Sequence, residues 1–142
     1  MIFGLLALTI AALFTGAAVY INIAEHPARL KLADGPLLTQ WKPSYNACKL
    51  MQASLAVAGG VLGLMAFFFD WDWKWIFGGT FMAANWPYTL YLIMPINNKL
   101  MAADPEAPGH EVRPLMVRWG WLHAGRSAFG AIATILFIAA AV

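Results

Sequence analysis

Polar side chains that could transfer a proton or bind an anion recur at helical spacing in two places in this sequence. The first group has the spacing i, i+3, i+4, i+7, which puts it on one face of a helix: Asn22, Glu25, His26 and Arg29. The second group lies near the carboxyl end and also shares one face: Trp119, His123, Arg126 and Gly130. Histidine is the usual general base at neutral pH, and arginine can stabilise a developing anion.

A third one-face group lies between these two and is partly aromatic: Trp41, Tyr45, Cys48 and Gln52. Asn97 and Asn98 close another apolar run. Taken singly, the aromatic residues would suit a membrane-interface belt, and Arg29 would suit a snorkelling anchor. Because ionisable groups within apolar helices usually face a partner or a cavity, the groups together predict a pocket between helix ends.

The composition restricts the class of protein. Hydrophobic residues make up 61% of the 142 residues and charged residues 11%, against roughly 45–50% and about 25% in soluble domains. A net charge of +2 with scattered basic residues excludes a nucleic-acid partner, and the apolar content excludes a disordered chain. The single cysteine, Cys48, excludes an internal disulfide and a cysteine-based metal site.

Four nearly uncharged runs are long enough to cross a bilayer, which takes about 20 apolar residues. We expect membrane spans at residues 1–24, 45–69, 75–96 and 115–142, forming one domain. A soluble bundle would need a polar stripe along each helix, and most of each run has none. The sequence therefore predicts an all-α fold: an integral membrane four-helix bundle with both termini on the same side.

The positive charges predict the orientation of this bundle. Eight of the nine basic residues lie at one predicted end: Arg29, Lys31, Lys42, Lys49, Lys99, Arg113, Arg118 and Arg126. The opposite end has only Lys74. The positive-inside rule then gives a multi-pass protein of the cell inner (plasma) membrane, with its long loops cytoplasmic and both termini outside. Trp71, Trp73 and Trp75 would form the outer aromatic belt.

The segments between the spans are predicted as irregular chain. Asp34-Gly35-Pro36 is a turn signal, and the loop after it would lay Leu37, Leu38 and Trp41 along the membrane surface. Pro27 is expected to end the first span near His26 or to start a new turn. Three prolines and a glycine predict another loop over residues 102–114.

Four short motifs, in order, resemble the anthrone oxygenase-like family of small four-span membrane proteins, whose bacterial members mostly have unknown function. The motifs are Asn22-x-x-Glu25-His26-Pro27-Ala28-Arg29, Trp41-x-x-x-Tyr45, Pro95-x-Asn97-x-x-Leu100 and Trp119-x-x-x-His123-x-x-Arg126. The resemblance implies a four-helix membrane fold. For members of polyketide pathways it also implies oxidation of an anthrone to an anthraquinone by O2, without an evident cofactor.

On this hypothesis each polar residue receives a role. His123 or His26 would be the base, and Arg126 and Arg29 would stabilise the anion. Neutral hydrogen-bond donors and a flat aromatic slot would complete the binding site, from Asn22, Tyr45, Asn97, Trp41 and Trp119. Glu25 would orient a histidine or balance an arginine, pairing with Arg29 or Arg126.

Two alternatives remain open at this stage. Two histidines on facing helices can ligate haem iron, so His26 and His123 could make the protein a haem- or metal-binding oxidoreductase. Alternatively, the polar cluster could be an internal network in a non-enzymatic membrane scaffold or lipid- or small-molecule-binding protein. The expected partners are a hydrophobic aromatic small molecule and the lipid bilayer. The small-residue motif Gly59-x-x-x-Gly63 allows close helix packing and is compatible with a homo-oligomer.

Overall fold

The structure, a computed structural model, describes all residues from Met1 to Val142 and contains four long helices and no strand. Helix α1 is Ile2–Arg29, α2 is Asp34–Asp70 and α4 is Val112–Ala141. Helix α3 covers residues 73–102 and consists of three consecutive segments, Trp73–Tyr88, Thr89–Ile93 and Met94–Ala102. The predicted all-α class is confirmed.

The helices form a ring in which each packs against the next, α1 on α2, α2 on α3, α3 on α4 and α4 on α1. Helices α2 and α4 are therefore diagonal to one another. The tight connection at residues 71–72 lies at the same end as both termini, where the Met1 amino group is 3.7 Å from the Asp70 carboxylate. We call this the turn end, and the end with the connections at residues 30–33 and 103–111 the loop end.

Three of the four helices, α1, α2 and α4, are long and apolar enough to cross a membrane. Helix α3 does not reach that hydropathy, because its middle contains Asn85, Trp86 and Pro87. Many large apolar side chains are exposed on the outside of the bundle, for example Leu13, Phe77 and Ile135. A surface of this kind is typical of contact with lipid or with another protein.

Helix α2 is longer than predicted, because it begins at Asp34 and not at residue 45. The prediction that Leu37, Leu38 and Trp41 lie along the membrane surface was wrong, since all three are fully buried. Pro36, part of the predicted turn Asp34-Gly35-Pro36, lies in the first turn of the helix. There the missing N–H of proline leaves no hydrogen bond unmade.

Two π-helical segments interrupt the bundle, Ile21–Glu25 in α1 and Thr89–Ile93 in α3. Each ends two residues before a proline, Pro27 or Pro95. A proline inside a helix lacks a donor and crowds the carbonyl four residues earlier, and a wider turn relieves that crowding. The chain therefore continues as helix past His26 to Arg29, so of the two alternatives expected for Pro27 the structure shows the start of a new turn and not the end of the helix.

The aromatic cluster at the turn end is divided between surface and core. Trp71 and Trp73 are exposed, as an interface belt requires. Trp75 is only 2% exposed and packs on Phe137, with ring centroids 5.5 Å apart. The prediction that placed Trp75 in the belt was therefore wrong, because α3 has already begun at Trp73 and turns residue 75 inward.

Glycines bring the helices into close contact near the turn end. A Cβ added at Gly63 would lie 3.1 Å from Gly79 Cα, and one added at Gly78 would lie 2.4 Å from the Phe137 ring.

We expect Gly78→Ala to lower stability by about 1–3 kcal/mol through overpacking. Gly16 has no atom within 4 Å of such a Cβ, so Gly16→Ala should be neutral or stabilise by up to about 1 kcal/mol. Thermal unfolding in detergent checks both, and equal melting temperatures would contradict this packing.

Candidate functional site

A cavity of about 750 Å³ lies between the four helices, from the loop end towards the middle of the bundle. Its walls are mostly apolar. Its margin includes side chains that are exposed on the outer faces of α2 and α3, among them Val57, Val61, Trp86 and Leu90. The cavity therefore opens sideways between α2 and α3, on the apolar surface of the bundle.

Most of the predicted site residues line this one cavity. Eight of the ten do so: Glu25, Arg29, Trp41, Tyr45, Asn97, Trp119, His123 and Arg126. The other two, Asn22 and His26, pack against residues of the lining. The fold thus brings together side chains that are far apart in sequence, such as Asn22 and His123, which are 101 positions apart.

Aromatic rings form a rigid wall towards the loop end. Trp41 stacks on Tyr45 with ring centroids 4.9 Å apart and an angle of 4°, and it meets Trp119 edge to face at 5.9 Å. Trp119 Nε1 donates a hydrogen bond of 2.9 Å to Asn97 Oδ1, and Asn97 Nδ2 donates one of 3.2 Å to the Tyr45 hydroxyl. These bonds fix the ring planes, so the wall is preformed.

The Glu25 carboxylate balances Arg29. It accepts hydrogen bonds from Arg29 Nη2 at 2.6 Å, from Gln40 Nε2 at 3.1 Å and from the Ser44 hydroxyl. Arg29 also donates to Gln40 Oε1 and lies 5.7 Å from the centre of the Trp119 ring. Of the two pairings considered for Glu25, the structure shows the one with Arg29, and the Glu25 carboxylate forms no hydrogen bond with either histidine.

His123 is held in one orientation by Asn22. Asn22 Nδ2 donates to the Gly120 carbonyl at 2.9 Å, so Asn22 Oδ1 faces His123 Nδ1 at 2.9 Å and the Ser127 hydroxyl at 2.8 Å. Because an amide oxygen only accepts hydrogen bonds, the ring proton is assigned to Nδ1. The lone pair is then on Nε2, which has no hydrogen-bond partner in the protein. The cavity thus has a histidine nitrogen ready to take a proton.

The ring of His26 is packed into the wall behind this site. It is 6% exposed, and its centroid lies 5.4 Å from that of Trp119. Nε2 lies directly over Gly120, where an added Cβ would be only 2.2 Å away. Nδ1 is buried and has no partner. His26 is also not among the residues that line the cavity.

Arg126 is a cation without a carboxylate partner. No acidic side chain forms a salt bridge with it, its guanidinium carbon lies 5.5 Å from the centre of the Phe14 ring, and its Nε is buried and unpartnered. A charge in an apolar site is costly unless something compensates it. The cavity therefore suits a ligand that carries or develops negative charge beside Arg126.

Four polar residues of the site were absent from the sequence-based prediction, Gln40, Ser44, Asn85 and Ser127, and Gln52 was placed on the aromatic face without a role. The sequence did contain signals for them. Gln40 and Ser44 are four residues apart and so share a helical face, and Gln52 belongs to the aromatic face described above. Asn85 is an amide in the middle of the third apolar run, which is expensive in lipid.

Comparison with known proteins gives the class to which this bundle and cavity belong. The family model described as anthrone oxygenase matches residues 41–136. This range contains α2, α3 and α4 almost completely, including His123 and Arg126. The chain belongs to the anthrone oxygenase family, and the resemblance seen in its motifs is confirmed.

Two similar proteins are named anthrone oxygenases. The anthrone oxygenase dmxR16 of Cryptosporiopsis sp. (strain 8999) is 30% identical over 138 residues, which cover 89% of this chain and 78% of that protein. The anthrone oxygenase nsrD of Aspergillus novofumigatus (strain IBT 16806) is 31% identical over 107 residues, 68% of this chain and 65% of that protein. No solved structure matches this chain.

Proposed function

We propose that this chain is an integral membrane enzyme that uses O2, and no cofactor, to oxidise a flat anthrone-like phenolic substrate. The observation that carries the proposal is the pairing of His123 and Arg126. A histidine with a free Nε2 and an arginine without a counter-ion stand three residues apart on α4, about 4.5 Å along the helix axis, and both line one apolar cavity. Membership of the family supports the oxygenase class.

The shape and position of the cavity support a hydrophobic, planar substrate. Tyr45 is half-buried in the cavity wall and is backed by the fully buried Trp41, so the wall has an aromatic surface that suits aromatic rings. The sideways opening between α2 and α3 lets such a molecule enter from the bilayer. We place the loop end, which carries most of the basic residues, on the cytoplasmic side of the plasma membrane, with both termini outside.

The first step is removal of a proton from the methylene carbon of the anthrone by His123 Nε2. The electron pair of the broken C–H bond delocalises onto the carbonyl oxygen across the central ring. Arg126 stabilises the negative charge there, and its effect is large because the apolar walls exclude water. The methylene and the carbonyl lie on opposite edges of one ring, so this step requires the base and the cation to contact opposite edges of the substrate.

The second step consumes O2. The electron-rich enolate gives one electron to O2, and the two radicals combine to form a C–O bond and a peroxide anion. The protonated His123 returns its proton to the peroxide. Loss of the second methylene proton with cleavage of the O–O bond then gives the new carbonyl and water. The balance is anthrone plus O2 to anthraquinone plus water, with the carbon oxidised and O2 reduced by four electrons.

The alternatives fit the geometry less well. Haem ligation by His26 and His123 would need a free nitrogen on His26, whose Nε2 faces Gly120 and whose Nδ1 is buried. A purely structural polar network would be self-satisfied, whereas Arg126, Gln52 and Asn85 have unpartnered atoms around the cavity. An absorbance scan of the purified protein for a Soret band tests the haem alternative independently.

Oxygen consumption tests the proposed activity. Protein purified in detergent or nanodiscs, and treated with a chelator, should consume one O2 per anthrone and produce anthraquinone above the rate of spontaneous oxidation. Binding of the anthrone without faster O2 uptake would contradict the enzymatic proposal and favour a small-molecule-binding protein. Uptake that appears only after haem or a metal is added would contradict the cofactor-free reaction.

Asn22 is a positioning residue in this account. Because it orients the His123 ring without lining the cavity, Asn22→Leu should lower kcat by about tenfold to 100-fold, by analogy with losing the outer partner that orients a metal-bound histidine, and leave KM unchanged. Asn46→Leu, at an exposed amide of α2, is the matched control and should keep wild-type kinetics. A rise in KM with unchanged kcat in Asn22→Leu would contradict the role of Asn22.

A further inference from the structure

Two buried amides in the inner half of the cavity have no use in the reaction described above. Gln52 is 1% exposed, and neither its Oε1 nor its Nε2 has a hydrogen-bond partner. Asn85 is also 1% exposed; its Nδ2 donates to the backbone carbonyls of Phe81 and Met82, but its Oδ1 has no partner. A buried group left unpaired costs about 1–3 kcal/mol. Both residues line the cavity, so a ligand there could supply the missing bonds.

The helix register places Gln52 about one helical turn from Asn85. Gly59 contacts Met82 where α2 and α3 run antiparallel. Seven residues from this contact along each helix, towards the loop end, are Gln52 on α2 and Thr89 on α3. Gln52 thus lies at the level of Thr89, about one helical turn from Asn85.

The register also places Gln52 opposite Arg126. The Tyr88 hydroxyl lies against Gly125 and donates to the Leu122 carbonyl at 2.9 Å, so the level of Tyr88 on α3 is that of Gly125 and Arg126 on α4. Gln52 and Arg126 are therefore at one level on the two diagonal helices, α2 and α4, and both line the cavity between them.

We propose that Gln52, with Asn85 one turn deeper, forms a neutral amide subsite that recognises a hydroxyl or carbonyl group on an outer ring of the polycyclic substrate. The inference rests on the proposed function, because the substrate is the one whose negative charge, on the carbonyl oxygen of the central ring, Arg126 stabilises. Gln52 can donate and accept, as a phenolic hydroxyl can, and Asn85 Oδ1 can accept a hydroxyl proton. Neither amide carries a charge, so neither competes with Arg126 for the negative charge of the enolate. The subsite selects hydroxylated over unsubstituted ring systems.

Equilibrium binding tests this subsite without turnover. Quenching of tryptophan fluorescence by 2,6-dihydroxyanthraquinone and by unsubstituted anthraquinone gives both dissociation constants. In Gln52→Met, which keeps the side-chain length, the dihydroxy compound should bind about tenfold more weakly, the loss of one hydrogen bond, while anthraquinone should change by less than about twofold. Asn85→Leu should show the same selectivity with a smaller change. Asn98→Leu, at an exposed amide of α3, should change neither constant.

Each outcome decides one claim. Two results would overturn the subsite: equal affinity of the wild-type protein for the two compounds, or an equal loss of affinity for both in Gln52→Met. The Gln52 amide would then serve packing or bind a water molecule. A loss of affinity in Gln52→Met for the dihydroxy compound alone supports the subsite. If the wild-type protein also shows this selectivity but consumes no O2, the proposed reaction fails and the amide subsite stands.

Discussion

Replacing His123 with alanine is expected to lower kcat for anthrone oxidation by about 100-fold or more, because a positioned general base contributes about 10²–10⁴ to rate. The ring stacks on Trp119 and is oriented through Nδ1, so Nε2 is the nitrogen left without a partner in the protein. Affinity for the anthraquinone product should change little, since the base acts on the proton of the methylene carbon. Oxygen uptake and product absorbance measure the rate, and fluorescence quenching measures the affinity.

His110 provides the matched control. Its side chain is fully exposed in the connection between α3 and α4, far in sequence from every residue of the cavity lining. His110→Ala should therefore keep the wild-type rate. A wild-type rate in His123→Ala would remove this histidine from the mechanism, whatever the effect on binding.

Replacing Arg126 with methionine is expected to lower kcat by about 10²–10³, the usual cost of removing a group that stabilises an oxyanion. Because Arg126 has no carboxylate partner, its removal leaves no opposite charge unpaired, and the fold should be retained or stabilised. Arg126→Lys should recover part of the rate, since it keeps the charge but loses the planar guanidinium. Steady-state O2 uptake and thermal unfolding measure the two effects.

Arg118 is the control for this substitution, because it is exposed on the same helix and lies outside the cavity lining. Arg118→Met should keep the rate of the wild-type enzyme. A collapse of thermal stability in Arg126→Met, with a normal rate per folded molecule, would show that Arg126 serves packing and not catalysis.

The chemical composition of the site could be predicted from the sequence because helical spacing is a local property. Residues three and four apart must share a face, so the grouping of His123 with Arg126, or of Trp41 with Tyr45, needs no tertiary information. The long apolar runs similarly predict helices. These faces form one cavity because of the order in which the helices pack around the ring. The sequence predicted a four-helix bundle but not this order.

Other features depended on long-range packing and could not be predicted. Glu25 had two candidate arginines, and Gln40 and Ser44, on the unexpectedly early part of α2, complete its pairing with Arg29. The two histidines could not be distinguished by spacing. The close approach of Gly120 to the His26 ring separates them, because it leaves His123 as the histidine that faces the cavity.

The proline signals were ambiguous for a physical reason. Before Pro27 and Pro95 the chain does not break but widens into a π-helical turn, and the first of these turns contains Asn22 and Glu25. A π-helical turn changes the direction of the side chains within it relative to a regular helix. The same prolines that obscured the helix ends therefore help to position the residues that hold His123 and Arg29.

An experimental structure of the protein with a bound anthraquinone tests the central claim most directly. We expect the ring system within the cavity between α2 and α4, with one quinone oxygen within hydrogen-bond distance of the Arg126 guanidinium. The opposite quinone carbon, the former methylene, should face His123 Nε2. A quinone bound elsewhere on the bundle, or in this cavity with both oxygens turned away from Arg126 and His123, would contradict the account.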